Sequence, residues 1–542
     1  MSTYEGGYLL TKHPLILGGG HTAEMPNPVS EADLQALNDI QSTPWEINSA
    51  VLRVAETIWH DTSIPWPGKG GEALDRELPP TVPRVPPDEW QRMTPAARTE
   101  ALRARRKAHT ARASAESRFD AAADRLVIAQ AVEGRPVWFP HVRDFRGRIY
   151  PLPTAGPHPQ GDDFAKGLLR FAHGKPLGPD GLFWLCVRLA GNFGQDKLPL
   201  VERVEWALAH VHDLAWETAD EPWQALATLL EMSEAVHVGD DFVSHLPVPL
   251  DGSCNGLQHL SAMGLDPTGA RATNLCGEDR ADIYEEVAKH VERAVNSDAL
   301  NGVPAALHWR GKVNRKVCKR AVMTTPYGVT DGGIKKQLVN DGHAPAGREN
   351  REVVDYLGDR LSDALSATIE NGKAIMAWLQ AVAEKLAEAN VPFVWTTPTG
   401  SKVRQAYWTE SMARVRTVAG QFALRKEEAG STLKVRKQAL GSAPNVVHSF
   451  DAAHLALTVL LGQERGIAAW SMIHDSFGTH AADTTMLAQV LRETFLAIYR
   501  EDWLQRLYDE VCDYAPHVDI PLPPERGDFD IGAVVDAPFF FS

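Results

Sequence analysis

The chain has 542 residues, of which 44% are hydrophobic and 23% charged, enough to bury a large core and far from the composition of a disordered or fibrous polypeptide. Its 55 basic and 70 acidic side chains leave a formal charge of −15, which excludes a general nucleic-acid coat and turns attention to local charge clusters. Five cysteines (Cys186, Cys254, Cys276, Cys318 and Cys512), widely spaced and without a CxxC pair, argue against a disulfide framework or a zinc site and suit a reducing cytosol. The N-terminal stretch MSTYEGGYLLTKHPLILGGG lacks a basic region followed by an apolar core, and no run of 18 apolar residues occurs. A soluble, unexported protein with no membrane association is therefore expected.

In chain order, a helix is expected near 44–59, and the Pro- and Gly-rich residues 61–95 then read as an extended connection. An Ala- and Arg-rich helix follows at about 94–131; its RARRKAHTAR run, 103–112, reads as a solvated face or a phosphate-contacting surface. Residues 131–153 (AVEGRPVWFPHVRDFRGRIYPLP) look like strands broken by Pro and Gly, and from about 164 helices dominate, including DFAKGLLRFAHG and GLFWLCVRLAGNFG. HLPVPLDGSCNGLQHLSAMG, 245–264, reads as a short apolar strand, a turn and a helix. Long amphipathic helices are expected over 279–297 and 355–389, another helix over 445–466, and a hairpin over 469–480. No internal repeat appears, so the expected class is α+β, mostly helical, with a small antiparallel sheet.

Two aspartates stand out. Asp475 in SMIHDSFGTH and Asp251 in PVPLDGSCNG each end an apolar run and precede turn-forming residues, and Gly252 leaves the backbone open to a ligand. Either they are unrelated turn residues, or they converge as a carboxylate pair that binds two Mg²⁺ ions, which take oxygen ligands and complete their shells with water and substrate phosphates.

A cluster of cations supports the second reading. Residues 310–320, RGKVNRKVCKR, hold six cations and no acid. In a helix, Arg315, Lys319, Met323 and Tyr327 recur every four residues and form one stripe. Along it Arg315 and Lys319 would grip a triphosphate, Met323 would pack beside a base, and Tyr327 would sit near base or sugar. The alternative is a surface helix with solvated cations.

LDGSCNGLQHLSAM, RKVCKRAVMTTPYG and IHDSFGT, in that order, resemble motifs A, B and C of the single-subunit, bacteriophage-type DNA-directed RNA polymerases, relatives of the mitochondrial enzymes. DFRGRIYPLP, PQGDDFAKGLLRFAHGKPLG, GNFGQDKLPLVERV, DIYEEVAKHV, NVVHSFDAAHL and DAPFFFS are similar to further family stretches, so the resemblance runs from about Thr43 to Ser542. It implies a right-hand fold of thumb, palm and fingers that extends RNA on a DNA template from ribonucleoside triphosphates. Asp251 and Asp475, helped by the Gly252 carbonyl, would hold two Mg²⁺ ions. Arg315, Lys319 and Lys197 would face the triphosphate, His474 the primer terminus, and Tyr327 and Tyr284 the nucleotide pocket. His454 would touch the ribose or minor-groove face. Arg148, Tyr150 and Lys166 would lie near template and nascent RNA, although Arg148 could instead pair with Asp144. Where related DNA polymerases carry a glutamate five residues after the first aspartate, this chain has Gly256, which would leave room for a ribose 2′-hydroxyl.

The resemblance divides the chain into a short extension (1–42), a thumb-like helical region (43–132), the first part of the palm (133–279), fingers (280–454), and the second part of the palm with the C-terminal end (455–542). Residues 396–445 lie where the family has a promoter-reading hairpin, and Arg404, Lys434, Arg436 and Lys437 suit DNA contact. With only some forty residues before the resemblance begins, the family's N-terminal promoter-binding domain is expected to be missing. Three accounts follow: a separate promoter-recognition or melting protein, initiation with little sequence preference, or primer synthesis. An RNA primase, a DNA polymerase of the same superfamily and a non-catalytic DNA-binding protein remain as rivals. The expected location is the cytoplasm of a phage-infected bacterium, with virion association left open.

Overall fold

The computed structural model describes residues 5–7, 12–17, 29–68, 70, 73–74, 78–153, 155–345, 347, 350–409, 411–417, 420–426 and 432–541. Helix α1 (Glu31–Gln41) is capped by Ser30, whose hydroxyl accepts from the Asp33 amide, and packs along the long helix near the C-terminal third. Strand β1 (Trp45–Ile47) leads into α2 (Ser49–His60). The Ala/Arg-rich stretch forms α3 (Pro95–Val132), capped by Thr94, with no buried residue before Ala115. The 103–112 cations therefore lie on the half of this helix that is not packed into a core.

Strands β2 (His141–Asp144) and β3 (Ile149–Pro151) form a tight antiparallel pair. In DFAKGLLRFAHG the helix α4 stops at Gly167 (Asp163–Gly167), and Leu169–Phe171 is strand β4, antiparallel to β1. The expectation of helix throughout this stretch is corrected by that pairing: the ladder to Trp45–Ile47 claims the backbone donors a helix would use. Helix α5 (Gly178–Asn192) carries the GLFWLCVRLAGN pattern.

Strand β5 (Pro247–Asp251) and helix α6 (Asn255–Met263) realise the expected strand–turn–helix, joined through Cys254 at φ 59°. Helix α7 (Ile283–Leu300) is capped by Asp282, and α8 (Arg315–Thr324) by Asn314. The 355–389 pattern resolves into α9 (Arg351–Thr368) and α10 (Glu370–Glu388), broken at Ile369.

Residues 396–445 are not one hairpin. The first residues close a pair between β6 (Phe393–Thr396) and β7 (Lys402–Gln405); a separate ribbon joins β8 (Ser411–Thr417) to β9 (Gly420–Lys426); and from Val435 the chain is already helical. Positions 410, 418–419 and 427–431 of that stretch lie outside the described residues. Helix α11 (Val435–Glu464) runs thirty residues through Pro444, so the expected 454/455 division falls within one continuous helix. The hairpin of β10 (Ser471–Ile473) and β11 (Ser476–His480) follows, then α12 (Thr484–Tyr499).

The chain is thus mostly helical with small, chiefly antiparallel sheets. The largest buried cluster gathers α1, α5 to α12 and the β5–β11–β10 sheet, and a second gathers α2, the end of α3, β4 and Trp223.

Candidate active site

The sheet ordered β5–β11–β10 sets the two aspartates. Asp251 pairs with Ser476, and Ile473 pairs with Ser476 across a turn of two residues, His474 and Asp475. The register alone therefore puts both carboxylates at one end of one sheet, and the Gly252 amide donates to the Asp475 carbonyl at 3.3 Å. Val248 and Leu250 are buried beneath while Pro247, Pro249 and Asp251 face a cleft of about 580 Å³, shared with Lys166, Arg188 and Gln224. His474 turns the corner at φ 55°, a conformation a residue with a side chain adopts at some cost, and its ring meets Tyr150 edge-on at 5.0 Å.

The electrostatics are those of crowded acids. Burial, then the charge of Asp451, pushes Asp475 up to about 6, with Asp251 adding to the effect. Asp251 is solvent-exposed at its surface yet surrounded by enough protein that desolvation raises its pKa, against a hydrogen bond from Ser476 and the charge of Lys166. No cation forms an ion pair with either carboxylate among the described residues, and no group of three or more His, Cys, Asp or Glu that could hold a metal occurs there. Two neighbouring carboxylates, Asp251 opening onto the cleft, fit a hard divalent ion that keeps waters and takes further oxygens from substrate.

The cation helix faces this corner through a chain of contacts. The Arg315 guanidinium lies 5.1 Å over the Tyr284 ring and bonds Asp282 at 2.6 Å, and Tyr284 hydrogen-bonds Cys254, three residues after Asp251. Lys319 and Met323 are exposed on the same helix. Tyr327 departs from the expected stripe: α8 ends at Thr324, and a turn closed by the Tyr327 and Gly328 amides carries the tyrosine inward. Gly328 sits at φ 76°, which allows this exit. Burial pushes the Tyr327 phenol up to about 12, against the charge of Arg148. Lys197 is exposed in a loop whose Asp196 carbonyl accepts from Arg280, a cation within electrostatic reach of Asp282 and Arg315.

The space expected at Gly256 is not empty. A Cβ there would meet Pro326 Cγ at 2.9 Å and the Tyr327 hydroxyl at 3.3 Å, so the missing side chain is what admits these two residues.

Two expected contacts are corrected. His454 is 0% exposed; it sits among Phe477, Phe495 and Phe541 with Nε2 on the Leu491 carbonyl, and burial drives its pKa down to about 3, so it cannot reach a nucleotide. Arg404 is 8% exposed on β7, inside the molecule rather than on a DNA-facing surface. Lys434 is half-buried before α11, and Arg436 is exposed in its first turn.

Arg148 pairs with Asp451, Nη2 to Oδ2 at 2.7 Å, whereas Asp144 holds Arg146 and receives a long 3.4 Å bond from Tyr150.

Sequence reasoning missed His448. Its ring lies 4.7 Å from that of Tyr327, and Arg146 Nη1 donates to its Nδ1 at 2.8 Å. Because a guanidinium only donates, Nδ1 is the acceptor and the proton resides on Nε2. Burial, then Arg148 and Arg146, lowers its pKa to about 2, so the ring stays neutral. The sequence signal was the six-residue spacing of two histidines on one helix, which places them on different faces.

Residues 175–516 match the family model described as DNA-dependent RNA polymerase. The chain belongs to this family. It is similar to the DNA-directed RNA polymerase 1, mitochondrial, of Arabidopsis thaliana, with 33% identity over 95% of this chain and 54% of the relative. It is similar also to DNA-directed RNA polymerase 3, chloroplastic, of Nicotiana sylvestris (32%, covering 99% and 57%) and to DNA-directed RNA polymerase 2, chloroplastic/mitochondrial, of Arabidopsis thaliana (34%, covering 94% and 52%). The chain spans about half the length of these curated relatives. Their names overturn the expectation of a phage-infected bacterial cytoplasm, since each relative is named for mitochondria, chloroplasts or both. Among the described residues, no helix is long and apolar enough to cross a membrane.

Proposed function

We propose that this chain extends RNA on a DNA template by transferring nucleotidyl groups from ribonucleoside triphosphates to a 3′-hydroxyl. The observation that carries the reading is the Asp251–Ser476 register, which sets side by side two acids without ion-pair partners among the described residues, linked through Tyr284 and Cys254 to a helix of cations. Asp251 and Asp475 would hold two Mg²⁺ ions, which when bound supply Lewis-acid stabilisation of the developing charge. Arg315 and Lys319, with Lys197 nearby, neutralise the triphosphate. Tyr327 and His448 wall the nucleotide pocket, and the neutral His448 offers a donor at Nε2. Lys166 borders the cleft beside Asp251, and Tyr150 and His474, ring against ring at the hairpin turn, would lie near the growing RNA end.

In this reading 43–132 serves as thumb, 133–279 and 455–542 as palm, and 280–454 as fingers. The β8–β9 ribbon, with Arg414 and Arg416 exposed, is the DNA-contacting element in place of Arg404. The test is extension of a primed RNA–DNA hybrid, alongside run-off synthesis on duplex, bubble and single-stranded templates. Mg²⁺-dependent incorporation of ribonucleotides, lost in Asp475→Ala with template binding retained, is expected. A strong deoxyribonucleotide preference, or equal synthesis by the variant, overturns the reading.

A further inference from the structure

Two distant segments of the chain meet on Asp451, close to the acidic hairpin. Its side chain, on α11, is 1% exposed. Oδ2 accepts from Arg148 Nε at 2.8 Å and Nη2 at 2.7 Å, and Oδ1 accepts from Asn255 Nδ2 at 2.6 Å. Arg148 leaves the turn between β2 and β3, and Asn255 is the first residue of α6, four positions after Asp251. Arg148 also stands within electrostatic reach of Tyr327 and Asp475. A small cavity lined by Arg143, Arg148, Asp451 and His474, with α1 as its far wall, adjoins the group.

The charges explain why such a clamp is needed. A guanidinium beside an acid that lacks an ion-pair partner will form a pair with it unless another carboxylate holds it first. Released, Arg148 would find Asp475 as an acceptor and occupy the oxygens a cation must use.

We propose that Asp451 is a positioning residue: by pinning Arg148 sideways it keeps the guanidinium off Asp475, and through Asn255 it fixes the helix start behind Asp251. Both carboxylates thereby remain open to a divalent cation. This rests on the polymerase reading of the site.

The test measures Mn²⁺ binding to the nucleotide-free protein by electron paramagnetic resonance, together with the Mg²⁺ dependence of synthesis, in wild type, Asp451→Asn, Arg148→Gln and the double variant. Asp451→Asn should weaken Mn²⁺ binding about tenfold, in the range seen when groups that orient metal ligands are removed. The double variant should recover most of the affinity that Asp451→Asn loses, because the competing cation is gone. Unchanged binding in Asp451→Asn, or a double variant no better than Asp451→Asn, overturns the proposal. Should Asp451→Asn fail to fold, Asp451→Glu keeps the buried charge and shifts it by one methylene. It should then weaken binding by about tenfold, reversed by Arg148→Gln, and wild-type affinity in it also overturns the proposal. A wild type that neither binds Mn²⁺ nor incorporates ribonucleotides defeats the polymerase reading instead.

Discussion

The acidic corner and the cation helix face one another, yet they are built differently. Asp251 and Asp475 are fixed by strand register and a two-residue turn, and burial, then the charge of Asp451, pushes Asp475 up to about 6. Arg315 and Lys319 stand on one turn-spaced face of a ten-residue helix, one paired with Asp282 and the other exposed without an ion pair among the described residues. The acids are thus preorganised at a cost to stability, while the cations retain rotamer freedom until a ligand orders them. On the proposed reading, geometry is held where the chemistry must be exact to a fraction of an ångström, and charge is left adaptable where it need only attract.

The sharpest way to break this contrast is to neutralise the rigid side. Asp251→Asn should lower the rate of ribonucleotide incorporation on the order of 10³-fold or more with little change in fold, measured by single-turnover extension and circular dichroism. A loss below tenfold would place the chemistry elsewhere.

The adaptable side should respond more mildly. Lys319→Ala should lower kcat/KM for the nucleotide about 10–100-fold, the worth of one charge-assisted bond, without moving the unfolding temperature. Arg315→Ala should do both, because Asp282, which caps α7, loses its partner.

Where the two sides meet, Gly256→Ala forces a methyl against Pro326 and the Tyr327 hydroxyl. It should destabilise by about 1–3 kcal/mol, read by thermal denaturation, and impair nucleotide binding as Tyr327 shifts. A stable variant with normal affinity would show that this junction yields freely.

The smallest effect tests the cost of the acidic corner. The folded pKa of Asp475 is raised from 3.8 to about 6, so its contribution to stability is fully present below pH 4 and disappears as pH climbs through about 6. Asp475→Asn in the metal-free protein should therefore gain about 1–2 kcal/mol at pH 7 and nothing at pH 4, measured as apparent unfolding midpoints. Equal shifts at both pH values would assign the gain to packing.

Local pattern carried much of the architecture into view. The alternating PVPLD run, the SMIHDSFGTH hairpin, the Ala/Arg helix to Val132 and the four-residue spacing of Arg315 and Lys319 all lie within one element or two adjoining ones, where periodicity reports directly on which face a side chain takes. The same signal misled for LRF, whose partner strand lies over a hundred residues away, and for 396–445, where turn chemistry does not reveal how many ribbons the chain makes.

What the sequence determined by itself was the inventory: two aspartates at strand ends, a cation helix, and a family resemblance that the comparisons share. Tertiary structure decided which groups meet. Packing buried His454 and brought His448 to Tyr327, though both stand on one helix. It turned Arg148 from neighbouring Asp144 to Asp451, 303 residues away. Side-chain periodicity specifies a face within an element, but only the packing of elements specifies what that face meets, and a buried charge is stable only where packing supplies its partner.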